Sequence, residues 1–105
     1  MEIGVDIVEH ERVKKTIANK ILTSKEKLQL DEIKNEQAKI EYVASRFAAK
    51  EAVIKATNKK YSFQEIEVLK TGNKPSCNIA NIKLSISHEK KYSIAFCIYL
   101  GENNE

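Results

Sequence analysis

Three side chains interrupt or end apolar elements, and together they suit the handling of a phosphate. The first is in the run Arg46-Phe47-Ala48-Ala49-Lys50-Glu51-Ala52-Val53-Ile54-Lys55-Ala56. This run reads as the second half of a helix that starts near Glu36. An α-helix has about 3.6 residues per turn, so positions three and four apart share a face. Ile40, Val43, Ala44, Phe47, Ile54 and Glu51 fall on one stripe. Glu51 therefore puts a carboxylate where a leucine would fit, and such a group is costly to bury unless paired. Lys55, one turn on, is at pairing distance, and Arg46 and Lys50 form a second basic pair on an adjoining flank. An internal Glu51–Lys55 ion pair is the structural reading of this spacing, and it stands beside the functional one.

The second side chain is Asp6. Glu2 to Val8 reads as a strand with Ile3, Val5 and Ile7 on one side and Gly4, Asp6 and Val8 on the other. Aspartate is depleted in strands, so Asp6 either caps a bend or binds a cation. The third is His88, at the end of the arm Ile82 to His88, where a side chain leaves the core. A histidine there is more often a surface or hydrogen-bonded residue than a catalytic one. Magnesium takes one or two carboxylates and completes its shell with water and substrate phosphates. Asp6 and Glu51 fit that pattern, which would put Lys55 beside a phosphate. Metal, lysine and histidine around a phosphate are the equipment of phosphoryl transfer, where positioning and charge neutralisation dominate. No Walker-type glycine loop or kinase signature is present.

The elements that must hold these residues can be read in order. After the first strand, a helix is expected over Glu9 to Lys20, with Val13 and Ile17 as its apolar contacts. Thr23 and Glu26 have capping-box spacing for a second helix. The long helix ends at Asn58, a plausible left-handed cap. Phe63 to Leu69 reads as a strand, Thr71 to Pro75 as a turn, and Ser76 to Ala80 as a short edge strand or loop. Ile82 to His88 and Tyr92 to Leu100 form a hairpin through Glu89-Lys90-Lys91, with Ile94, Phe96, Ile98 and Leu100 facing together. The expected class is α+β: a mainly antiparallel sheet packed against one long helix.

The chain has 105 residues, enough for one small domain spanning 1–105, with a core that oligomerisation would help. Hydrophobic residues make up 42% and charged residues 31%, which argues against disorder. The net charge of +3 is too weak by itself to indicate a nucleic-acid partner. Its distribution is uneven: residues 12–27 hold Arg12, Lys14, Lys15, Lys20, Lys25 and Lys27 against only Glu26. That segment is either a solvated face or a surface for an acidic partner. Cys77 and Cys97 lack metal-ligand spacing and read as reduced thiols of a cytoplasmic protein. No run approaches membrane-spanning length. A basic module that binds acidic proteins or RNA is the rival class. Aromatics are only 7%, and Tyr42, Phe47 and Phe96 occupy core-like phases, whereas RNA readers expose stacking aromatics.

Four motifs carry a resemblance. Ile3-Gly4-Val5-Asp6-Ile7-Val8-Glu9, Arg46-Phe47-Ala48-Ala49-Lys50-Glu51-Ala52 with Lys55-Ala56, Phe63 to Val68, and Ser85-Ile86-Ser87-His88-Glu89 resemble the holo-[acyl-carrier-protein] synthases. These are the small, single-lobe class of 4′-phosphopantetheinyl transferases. The resemblance runs from Ile3 to about Leu100. It implies transfer of 4′-phosphopantetheine from coenzyme A to a serine of apo acyl carrier protein, with release of adenosine 3′,5′-bisphosphate, in fatty acid biosynthesis. It implies magnesium held by Asp6 and Glu51, with Glu51 activating the serine directly or through water. Lys55 matches the lysine near the coenzyme phosphates, and His88 matches a histidine near its nucleotide. Arg46 and Lys50 are expected to help bind the coenzyme. Arg12 and Lys15, in the first helix, are expected to dock the carrier protein. The resemblance also implies a homotrimer with active sites between subunits, so that His88 serves a neighbour's Asp6 and Glu51. Two departures stand out. The family's glycine-rich turn after Lys55-Ala56 is shortened to Thr57-Asn58-Lys59-Lys60, and Gly72-Asn73-Lys74-Pro75 carries one extra residue. Lys59 or Lys60 could replace phosphate contacts that the missing backbone would make.

Overall fold

The computed structural model describes residues 1–13 and 15–102, with the side chain of Lys15 outside the description. In chain order it has β1 (Glu2–Glu9), a 3-10 turn (His10–Arg12), α1 (Lys15–Ile21), α2 (Ser24–Asp31) and α3 (Glu36–Thr57). A second 3-10 turn (Phe63–Glu65), β2 (Val68–Thr71), β3 (Lys74–Cys77), β4 (Ile82–His88) and β5 (Tyr92–Tyr99) follow. The strands β1, β5 and β4 form one antiparallel sheet in that order, and β2 and β3 form a separate hairpin. The fold is α+β.

The long helix starts and stops where its caps dictate. The Asn35 side chain accepts from the Ala38 N–H at 2.9 Å, and Asn58 takes the left-handed conformation (φ 56°) that ends it. Ala44, Ala48, Ala52 and Ala56 are buried against β1 and β5. Small residues let helix and sheet approach closely. At Gly4 the approach is closest: a Cβ there would lie 2.1 Å from the Ala52 carbonyl oxygen. On its other flank, α3 meets α1 and α2 around Ile21, Leu22, Tyr42 and Val43.

Local chemistry explains where the sequence expectations fail. The single helix over Glu9 to Lys20 does not form. Glu9 stays in β1, and Val13 is extended (φ −86°, ψ 116°), its side chain packed against both apolar clusters. The strand expected from Phe63 begins only at Val68. Ser62 and Glu65 form a reciprocal capping box around the preceding turn, with the Ser62 N–H donating to Glu65 Oε1 at 2.7 Å. The edge strand expected at Ser76 starts at Lys74, paired with β2 across Gly72 (φ 64°).

The largest correction concerns which face of the sheet is covered. On β5 the buried residues are Ser93, Ala95, Cys97 and Tyr99, whereas Ile94 and Phe96 are each 40% exposed. Phe96 therefore is not in the core. Across from them on β1, Ile3, Val5 and Ile7 are exposed as well. Alternation defines two faces but does not say which one a helix covers. Here the helix takes the face that carries Gly4, Ala95 and Cys97, and Ile3, Val5, Ile7, Ile94 and Phe96 form an open apolar strip on the other.

Candidate active site

The register of β1 against α3 brings Asp6 to the last two turns of the helix. Lys55 Nζ donates to Asp6 Oδ1 at 3.1 Å and to the Val5 carbonyl at 3.0 Å. Gly4 makes this reach possible, since any side chain there would push β1 off the helix. The Asp6 side chain is 18% exposed and that of Lys55 53%. Glu51 lies beside them, half-buried. Its carboxyl is pushed above the usual range, first by burial and then by the negative charge of Asp6, with Lys55 opposing. So Lys55 pairs with Asp6, and the internal Glu51–Lys55 bridge expected from helical spacing is not among the ion pairs of the described residues.

Could this group hold a metal? Among the described residues no three or more His, Cys, Asp or Glu side chains gather as a complete ligand set. A zinc-like site is therefore not built here. Two neighbouring carboxylates with an open side do suit magnesium, which uses few protein ligands and takes the rest from water and phosphate. The donor set fits that ion.

His88 lies elsewhere. Its Nδ1 is 3.7 Å from Glu41 Oε1 and its side chain is 52% exposed. With Arg46, Tyr42, Lys70, Lys74 and Pro75 it lines an open cavity of about 620 Å³. Glu41 and Lys55 are both on α3. At ~1.5 Å of rise per residue they are separated by about 21 Å of helix. The chain thus carries two separate groups: carboxylates and a lysine at one end of α3, and towards the other a cavity lined by Arg46, Lys70, Lys74 and His88 together with Glu32 and Glu41.

Residues 2–97 match the model of the 4′-phosphopantetheinyl transferase superfamily. The chain belongs to that superfamily. It is 37% identical to a holo-[acyl-carrier-protein] synthase of Mycoplasma mycoides subsp. mycoides SC, over 96% of each chain. A holo-(acyl-carrier-protein) synthase from Bacillus anthracis str. Ames, solved in complex with CoA (3′,5′-ADP), superposes with a TM-score of 0.83 at 36% identity. That match covers 91% of this chain and 92% of the other. The holo-[acyl-carrier-protein] synthase of Helicobacter pylori, solved with coenzyme A, gives a TM-score of 0.76 at 25% identity, over 91% and 97% of the two chains.

Within this transferase, the two other expected coenzyme ligands sit differently from Lys55. Lys50 is fully buried, and its ammonium donates to Glu26 Oε1 at 2.7 Å and to the Ile21 and Phe63 carbonyls. An ammonium has three N–H donors, so none is left for a coenzyme. Lys50 is a clamp between α3, the end of α1 and the start of α2, which corrects the expectation for it. Arg46 is only 6% exposed. It donates to the Val68 carbonyl and Ser45 Oγ, and stacks 4.2 Å from the Tyr42 ring centre. It still borders the His88 cavity. Arg12 is exposed in the first 3-10 turn; the Lys15 side chain is outside the described residues. Lys59 donates to Glu102 Oε1 at 3.2 Å.

Two buried polar residues were missed by sequence reasoning. Glu26 was read only as a helix-start residue. The capping box does form, with Thr23 N–H donating to Glu26 Oε1 at 2.8 Å, yet the same carboxylate also receives Lys50 and the Val68 N–H. His10 gave no signal beyond being a histidine after a strand. It is 6% exposed, with both ring nitrogens in hydrogen bonds.

Proposed function

We propose that this chain is a holo-[acyl-carrier-protein] synthase. It would move 4′-phosphopantetheine from coenzyme A to a serine hydroxyl of apo acyl carrier protein and release adenosine 3′,5′-bisphosphate. The observation that carries this reading is the meeting of Asp6, Glu51 and Lys55 in a chain so similar to curated synthases along its length.

In this reading Asp6 and Glu51 hold magnesium, which when bound supplies charge neutralisation at the diphosphate. The remaining work belongs to the chain. Glu51 orients the serine hydroxyl and takes up its proton at a carboxylate oxygen, directly or through water. Lys55, tethered by the Val5 carbonyl, keeps an ammonium beside the diphosphate bond that breaks, next to the 5′-phosphate of the departing adenosine 3′,5′-bisphosphate. The cavity between Arg46, Lys74 and His88 receives the coenzyme's nucleotide. Because this cavity and the Asp6 group are far apart in one chain, we place each complete site between two copies. The open strip of Ile3, Val5, Ile7, Ile94 and Phe96 supports that assembly, since contiguous exposed apolar surface marks an interaction site. We take the assembly to be a homotrimer of single-domain chains. Arg12, exposed at the start of the basic segment, would face the acidic carrier protein, raising encounter rates in a salt-sensitive way. Fatty acid biosynthesis in the cytoplasm is the proposed setting. No helix of the described residues is long and apolar enough to cross a membrane.

The test is intact-mass spectrometry of an apo acyl carrier protein incubated with this protein, coenzyme A and magnesium, beside a chelator control. The expected result is a magnesium-dependent gain of one phosphopantetheine. No gain on several apo carriers, with folded protein, would overturn the reading.

A further inference from the structure

The chain carries a buried histidine that the proposed chemistry does not use. His10 directly follows β1, in the 3-10 turn, yet every polar contact of its ring is with the β4–β5 hairpin. Its Nδ1 is 3.0 Å from the Lys90 carbonyl oxygen, and its Nε2 is 2.9 Å from Ser93 Oγ, a hydroxyl that is itself fully buried. A carbonyl only accepts, so Nδ1 carries a proton and donates to the Lys90 carbonyl, while the Ser93 hydroxyl, which can donate or accept, completes the bond at Nε2. The backbone adds a third bond, from the His10 N–H to the Lys91 carbonyl at 2.7 Å. The Gln37 side chain donates to the Lys90 carbonyl from α3 at 3.2 Å.

What these bonds hold is the hairpin that ends in His88. Ser93 is the residue paired directly across from His88, and Lys90 lies two residues beyond it. His88 itself is exposed, with the Glu41 carboxylate 3.7 Å from its Nδ1, and among the described residues its side chain makes no hydrogen bond. Its side chain has few constraints of its own, so its location depends on the strand end that bears it. We propose that His10 is a positioning residue for His88, fixing the β4–β5 turn so that His88 meets the coenzyme nucleotide. This rests on the proposed role of His88 in coenzyme binding. A residue at the start of the chain thereby sets the affinity for a ligand that it does not touch.

The test is a double-mutant cycle on the complete protein, reading the KM for coenzyme A, the KM for carrier protein and kcat. His10→Leu is expected to raise the coenzyme KM about tenfold, with carrier KM and kcat within about twofold. Added to His88→Ala, it is expected to cost nothing further, because the two act on one contact. Amide exchange at Glu89 and Lys91 should speed up in His10→Leu while that of Cys97 stays slow, which separates a loosened turn from global unfolding. Should His10→Leu not fold, Ser93→Ala and His10→Gln carry the cycle, with smaller rises in the same direction. Equal rises in both KM values, or additive effects of His10→Leu and His88→Ala, would overturn the proposal. A raised coenzyme KM in His88→Ala with a normal one in every His10 and Ser93 variant would remove the proposal alone. A normal coenzyme KM in His88→Ala would remove the coenzyme reading of His88, and the proposal with it.

Discussion

Lys50 and Lys55 stand five residues apart on the same helix, on different faces of it, and each is paired with a carboxylate from another segment. The Lys50–Glu26 pair is 2.7 Å long and both side chains are sealed from solvent. The Lys55–Asp6 pair is 3.1 Å long and its lysine is half exposed. In the first pair every donor of the ammonium is used, and burial still pulls Lys50 below the usual lysine range against the pull of Glu26. Such a group cannot exchange partners without leaving a buried charge behind. In the second pair a phosphate or a cation can replace either partner at small cost, because exposed pairs are weak. The same residue type on the same helix is therefore a structural clamp at one position and an available charge at the next. Depth of burial divides the two roles, and the covering elements α1 and α2 decide that depth.

The sharpest way to break this comparison is at the clamp. Lys50→Met leaves the Glu26 carboxylate buried without its cation and should cost roughly 3–5 kcal/mol of stability, read from urea unfolding. A midpoint shift below that range would mean that the pair is less sealed than its geometry implies. Lys55→Ala should do the opposite. Transfer should fall about 10²–10³-fold, as for loss of one electrostatic stabiliser of the transition state, while stability changes by less than about 1 kcal/mol. If its melting temperature drops as far as that of Lys50→Met, the two lysines do not differ in kind. Gly4→Ala probes the support beneath Lys55. Its Cβ meets the Ala52 carbonyl, so β1 must shift, at a cost of roughly 1–3 kcal/mol for overpacking. Transfer should then fall together with stability, because Asp6 moves with the strand. Arg12→Glu should have the smallest effect: a carrier-protein KM raised about tenfold at low salt, less at high salt, and a normal coenzyme KM. Equal effects on both substrates would contradict docking at that turn.

The sequence made the short-range features legible. Asn35 and Asn58 end the long helix by local hydrogen bonding and left-handed geometry, and Thr23 with Glu26 closes a capping box within one turn. Asp6 and Glu51 stood out because each breaks an apolar or strand pattern, Lys55 because it lies one turn from Glu51, and their motifs resembled a known family. What stayed hidden depends on contacts distant in the chain. Lys50 looked like the outer partner of Arg46 because nothing in its own helix reveals that Ile21, Glu26 and Phe63 close over it. Phe96 was placed in the core because alternation is symmetric, and the tie was broken by α3 choosing the face with Gly4 and Ala95. The first helix was overextended because Val13 is extended and packs between two clusters built from distant parts of the chain. His10 left no pattern at all, since its partners Lys90 and Ser93 lie at the other end of the chain.

The most direct test of the central claim, that Glu51 at the open end of α3 does the chemistry, pairs a transfer assay with a melting curve for Glu51→Gln. The account predicts native-like melting and a loss of phosphopantetheine transfer to apo acyl carrier protein of about 10²–10⁴-fold, measured by intact mass. Near-normal transfer in a folded Glu51→Gln protein would contradict it.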